Sequence, residues 1–161
     1  MKMLTHRSAI SKAPPVSLST VMERTSVEFD GGDPELTDLI KAAAAEIEEF
    51  ANIAFLTQTI RMMIFDPEQK SGLRLPIGPV AVDHVPTVTI DGEAFTAFKF
   101  IGGLRPSIHW QACYYDLTPS RIMIEYQAGF GSSHGDIPQD LVQTIIDQTE
   151  LHMARRRGVQ L

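Results

Sequence analysis

The chain has 161 residues, of which 43% are hydrophobic and 21% charged, and its formal net charge is −6. That mixture suits one globular domain, or one with an insertion, and excludes an intrinsically disordered chain. The acidic balance opposes nucleic acid at long range, so a dedicated DNA binder would need a concentrated basic patch.

Residues 1–16 are polar, contain Pro14 and Pro15, and read as a flexible N-terminal arm. The first 15 lack the apolar stretch of a signal peptide. No uncharged apolar run in the chain approaches the roughly 18 residues of a membrane span. A soluble protein inside the cell that makes it, with no membrane partner, is the expectation. Residues 17–161 read as a single folded domain.

Ser17 is placed to cap a short helix carrying Leu18, Val21 and Met22 on one side. Asp33 is a good N-cap for a second helix, with Pro34 at the first helical position. There Leu36, Leu39, Ile40, Ala43, Ala44, Ile47, Phe50 and Ala51 recur at steps of three and four, forming one apolar stripe. Lys41, Glu48, Glu49 and Asn52 lie largely off it and read as a solvated face. Residues 17–55 are thus helical.

From residue 56 the period becomes two. In LTQTIRMMIF, Ile60, Met62 and Ile64 share one face, while Thr57, Thr59 and Arg61 share a wet one. LRLPIGPVAV is interrupted by Pro76 and Pro79 and reads as loop with short edge pieces. TVTIDGEAFTAF carries a hairpin signal at Asp91-Gly92. RIMIEY is a strand with Ile122, Ile124 and Tyr126 on one face. LRPSIHWQACYYDLTPS has no clear period, and its Trp110, Tyr114 and Tyr115 read as core aromatics. The last helix, 136–157, takes Asp136 and Gln139 as a capping box, has Pro138 in its first turn, and ends at Gly158. Its stripe is Leu141, Val142, Ile145, Ile146, Thr149 and Met153.

Helices, then strands, then a helix imply an α+β fold rather than a βαβ repeat. Neither long helix can bury its stripe alone. The N-terminal and C-terminal helices therefore pack together, with residues 56–128 inserted as an antiparallel β subdomain.

Strand, glycines and helix in succession raise the question of a phosphate site at 129–136. The loop reads Gly129-Phe130-Gly131-Ser132-Ser133-His134-Gly135-Asp136. It is neither a G-x-G-x-x-G fingerprint nor a P-loop. Asp136 would repel a phosphate at the end of the helix dipole that attracts anions, and Pro138 removes an N–H donor. A sharp corner is the simpler reading of the glycines. The five histidines, His6, His84, His109, His134 and His152, lack metal-ligand spacing. No G-x-S-x-G elbow is present. Cys113, the one cysteine, permits no intrachain disulfide. It reads as a small apolar side chain rather than a nucleophile. No catalytic residue, cofactor site or metal site emerges. Arg155, Arg156 and Arg157 either complement the helix C-terminus or touch DNA or an acidic partner.

Four stretches in this order have a familiar pattern: PVSLSTVMER, DPELTDLIKAAAAEIEEFANIAFLTQT, LPIGPVAV before a DG hairpin, and IEYQAGFG with IPQDLVQTIIDQTELHM. The chain resembles the head-tail connector (adaptor) proteins of long-tailed bacteriophages, the gp6-like or phiE125 gp8-like family, with relatives in prophages and gene transfer agents. The resemblance covers about residues 15–157. Ser19 and Thr20 stand where the family usually has charged residues.

The resemblance implies a structural virion protein that catalyses nothing. Copies would form a ring, twelve-fold in the family, beneath the portal protein. The ring would extend the DNA channel and meet the next head-tail joining (stopper) or tail component. DNA would pass without sequence-specific binding. The implied location is the head-tail interface of a virion or phage-like particle, with the bacterial host cytoplasm during assembly. Mapped onto this chain, portal contact falls on Arg155, Arg156, Arg157, Gly158, Val159, Gln160 and Leu161. The alternatives are a nucleotide-binding or enzymatic domain using loop 129–136, and a DNA-binding module using the arginine cluster.

Overall fold

The computed structural model describes residues 1–25, 34–156 and 158. The chain divides into two compact units, one made of Met1–Ile10 and Thr57–Gly129, the other of Ser11–Leu56 and Phe130–Leu161.

The second unit is helical. Helix α1 (Leu18–Arg24) starts where the Ser17 hydroxyl accepts the Thr20 N–H at 3.2 Å. Helix α2 spans Pro34–Ala51; its expected cap, Asp33, lies outside the described residues. Helix α3 spans Gln139–Arg156 and packs on α2. Leu36, Leu39 and Ile40 of α2 share one core with Val142, Ile145, Ile146 and Met153 of α3, joined by Val16, Val21, Phe55, Leu56 and Ile137. Each large aliphatic side chain buried there contributes about 1.5–3 kcal/mol. The fold is α+β, with its N- and C-terminal helices packed as expected.

The apolar stripe of α2 outruns that core. Phe50 is 92% exposed, and Ala51 is exposed as well. The reason is the helix end. Asn52 adopts φ 55° and turns the chain. The Ile53 N–H then returns to the Glu48 carbonyl at 3.1 Å. The Glu48 carboxylate accepts the Phe55 N–H at 2.7 Å. Phe55, folded back, is fully buried, and Phe50 is left outside. Phe55 also closes the unit: its carbonyl accepts the Phe130 N–H at 3.0 Å, and a parallel bridge joins Leu56 to Gly131.

The first unit is β. Its strands are β1 (Lys2–Ala9), β2 (Gln58–Phe65), β3 (Gly72–Arg74), β4 (Thr87–Ile90), β5 (Glu93–Ala94), β6 (Phe98–Ile101), β7 (Ser107–Trp110) and β8 (Arg121–Ala128). They form a five-stranded sheet in the order β1-β2-β8-β4-β5 and a three-stranded sheet in the order β3-β7-β6. Every strand pair is antiparallel. The expected arm at 1–16 is corrected here, since Lys2–Ala9 pair with β2 along their whole length.

Period two sets the buried face. Ile60, Met62 and Ile64 sit opposite Tyr126, Ile124 and Ile122, and all six are buried. Asp91 (φ 51°) and Gly92 (φ 93°) make the tight β4–β5 turn, as a primed hairpin requires. The Asp91 carboxylate also accepts the Arg121 N–H at 2.7 Å, tying the turn to β8. Gly102 lets the proline-rich stretch approach, because a Cβ there would lie 2.8 Å from the Val82 backbone. In the unpatterned stretch, Trp110 and Tyr114 stack with ring centroids 4.6 Å apart. Both are buried, whereas Tyr115 is exposed.

Tyr126 is 2% exposed, and its hydroxyl accepts the Ile77 N–H at 3.1 Å. Burial pushes its pKa up from 10.0 to about 12. A raised pKa means the neutral form is favoured by folding. Its contribution is complete below pH 10 and is lost as pH rises towards 12. Alkaline titration should therefore cost roughly 2–3 kcal/mol of stability across that window. Tyr126→Phe should remove this dependence and cost about 1–3 kcal/mol at neutral pH by orphaning the Ile77 N–H. Denaturant melts of both proteins as a function of pH measure both effects.

Candidate functional site

Two places carry the functional expectations, and both lie in the helical unit. The first is the end of α3. Helix α3 is described as far as Arg156, and Gly158, at φ 68°, donates its N–H to the Arg155 carbonyl at 3.2 Å. Arg155 and Arg156 are exposed. Arg156 is paired with Glu35 at the start of α2. Arg157, Val159, Gln160 and Leu161 lie outside the described residues.

A polar network flanks this end. Glu46 of α2 accepts from the Gln148 amide at 2.7 Å and lies 3.1 Å from His152 Nε2. The hydrogen bonds from Gln148 and His152, with Arg155 a minor contributor, hold the Glu46 carboxyl below its usual range. Sequence spacing missed the network because its partners sit on different helices.

The second place is the glycine loop, which its own aspartate fills. The Asp136 carboxylate accepts the Ser133 N–H at 3.0 Å and the Ser133 hydroxyl at 3.1 Å. The Asp136 N–H returns to the Ser133 carbonyl at 3.1 Å. A Cβ added at Gly131 would collide with the Asp136 side chain. The space where a phosphate would sit thus holds a carboxylate, and these N–H groups already have partners. The expected capping box is corrected: it joins Ser133 to Asp136 around a short 3-10 turn, His134–Asp136, and α3 begins only at Gln139. The spacing Ser133-x-x-Asp136 was the available signal. The expected helix 136–157 accordingly begins at Gln139, and its expected last residue, Arg157, lies outside the described residues.

The histidines that have partners serve the fold. His84 Nε2 accepts the Gln127 N–H at 3.1 Å, and His109 lies 3.4 Å from the Ser107 hydroxyl. Among the described residues no cluster of three His, Cys, Asp or Glu side chains is placed to hold a metal ion. No described helix is long and apolar enough to cross a membrane. Cys113 is exposed in a 3-10 turn, not tucked into the core as a small apolar side chain would be. In the β unit a cavity of about 260 Å³ is floored by Ile64, Trp110, Tyr114 and Ile122, with Glu68 and Lys70 paired at its rim.

No family model and no curated protein matches this chain. Solved structures do. A chain from the virion of a native gene transfer agent particle matches with a TM-score of 0.74 at 22% identity, covering 96% of this chain and 88% of its own. A chain from the neck of a native gene transfer agent particle, computed with C12 symmetry, gives 0.72 at 20%, covering 95% and 83%. One from the neck of an empty particle, computed with C6 symmetry, gives 0.68 at 23%, covering 89% and 81%. The chain shares its fold with components of gene transfer agent particles. The matches run through both the helical unit and the inserted β unit.

The contact between Gly131 and Asp136 makes a testable pair. Gly131→Ala should destabilise the protein by about 1–3 kcal/mol through overpacking. In an Asp136→Gly background the same change should cost little, because the obstructing side chain is gone. Equilibrium denaturation of the four proteins gives the coupling.

Proposed function

We propose that this protein is a non-catalytic structural component of the neck of a gene transfer agent or related tailed particle. In this reading it joins head to tail as a homo-oligomeric ring. The observation that carries the reading is the match at TM-score 0.74 over 96% of the chain to a particle component. Neck chains solved with C12 and C6 symmetry have the same fold, which supports a closed ring of twelve copies.

The ring lies under the portal protein, extends the DNA channel and presents its other face to the next joining or tail component. Arg155, Arg156, Arg157, Gly158, Val159, Gln160 and Leu161 reach the portal. Each such contact is weak alone, near the ~4 kcal/mol of a millimolar site, and the ring multiplies it. The net charge of −6 suits a conduit that DNA must traverse without sticking. Filling of the glycine loop by Asp136 weighs against the competing nucleotide reading.

Electron microscopy of particles containing the protein should show a ring on the portal axis. Deleting residues 157–161 should leave the circular dichroism spectrum unchanged while separating ring from portal. Particles that lack the protein and still join head to tail would overturn the proposal.

A further inference from the structure

The face of the five-stranded sheet opposite Ile64 and Ile122 carries a partly exposed apolar row. The register aligns Leu4 with Met63, Met63 with Met123, Met123 with Thr89, and Thr89 with Ala94. These positions alternate with the buried Ile64 and Ile122, so they face away from the core. The row spans four strand gaps, about 19 Å. Leu4 is 46% exposed, and Met63 and Met123 are half-buried. On one flank His6 sits beside the Arg61–Glu125 ion pair, closed at 2.7 Å. On the other flank half-buried Phe65 lies between Lys2 and Arg121. Neither of those two cations has an ion-pair partner among the described residues. The face is thus apolar in the middle and basic at the Phe65 side.

A complementary surface exists on the same chain. Phe50 projects from the last turn of α2, 92% exposed. Glu49 beside it and Asp38 on the same helix have no ion-pair partner among the described residues. We infer that Phe50 of one copy seats among Met63, Phe65 and Met123 of the next, with its Glu49 facing Lys2 and Arg121. Thioether side chains adapt readily around an aromatic ring, and the flanking charges are opposite in sign, which fixes the orientation. Nucleic acid would be drawn to Lys2 and Arg121 but would gain nothing from the methionine row.

The contact joins two unlike surfaces, one on the helical unit and one on the β unit. Such a heterologous contact propagates from copy to copy and closes when the rotation allows. The inference rests on the ring reading above and names the surfaces that build the ring.

The test mixes two single-cysteine proteins, both carrying Cys113→Ser. One has Phe50→Cys and the other, distinguishable by mass, has Met63→Cys. Neither can form an intrachain disulfide, so any link joins two copies. Under mild oxidation at high concentration the mixed dimer should exceed both homodimers. Arg121→Glu in the Met63→Cys copy should lower its yield about tenfold, and Glu49→Arg in the other copy should restore it. Circular dichroism verifies folding of each variant, and the same samples are imaged by electron microscopy. Rings without an excess of mixed dimer would overturn the docking and assign the methionine face to a different partner. Mixed dimer without rings would uphold the docking and count against the ring. Neither product would overturn both.

Discussion

One backbone closure holds the helical unit together. Phe55 and Phe130 meet through a hydrogen bond of 3.0 Å, beside the Leu56–Gly131 bridge, although residues 56–129 separate them in the chain. Only when that gap is closed can α3 lie on α2 and bury Ile145 and Ile146 against Leu36 and Ile40. The entropic penalty of closure grows slowly, by about 0.6 kcal/mol for each doubling of length. A few buried aliphatic side chains at about 1.5–3 kcal/mol each offset it. The closure is shaped from both sides. Asn52 and Glu48 turn the outgoing chain, and Asp136 shapes the returning one.

Local pairing of the same kind engages several of the conspicuous polar side chains. Asp136 occupies the glycine loop at 129–136, and His84 is a hydrogen-bond acceptor for β8. Arg156 answers Glu35, and His152 answers Glu46. Polar side chains that a sequence motif search would flag are thus engaged in holding turns and helices in place. Apolar surface is left as well: Phe50 at one helix end is 92% exposed, and Met63 and Met123 on the sheet are half-buried.

Much of this was legible from periodicity. The stripe of α3, the alternation of β2 and β8, the Asp91-Gly92 turn and the Ser17 cap follow from residue spacing, because each feature is local. The departures share a physical cause. Strand β1 hides from pattern reading because an edge strand with nearly every side chain exposed shows no burial alternation. Phe50 fits the helical period and is exposed because the core ends before the helix does. Strand β7 and the Trp110–Tyr114 stack depend on a second sheet that only the folded chain assembles. The spacing Ser133-x-x-Asp136 carries the capping signal, but Pro138 in a first helical turn favours reading the box at Asp136 and Gln139 instead. Of the candidate site, the arginine cluster was legible as charge, and the pairing of Arg156 with Glu35, 121 residues apart, was not.

The doorway at Phe55 and Phe130 has an evolutionary corollary. Two chain ends that meet through the Phe55–Phe130 hydrogen bond and the Leu56–Gly131 bridge act as a socket, and what is plugged into it is free to change size. Apart from β1, the whole sheet module enters and leaves through that socket. Changes of length within residues 57–129 are therefore tolerated in descent at a closure cost of only about 0.6 kcal/mol per doubling.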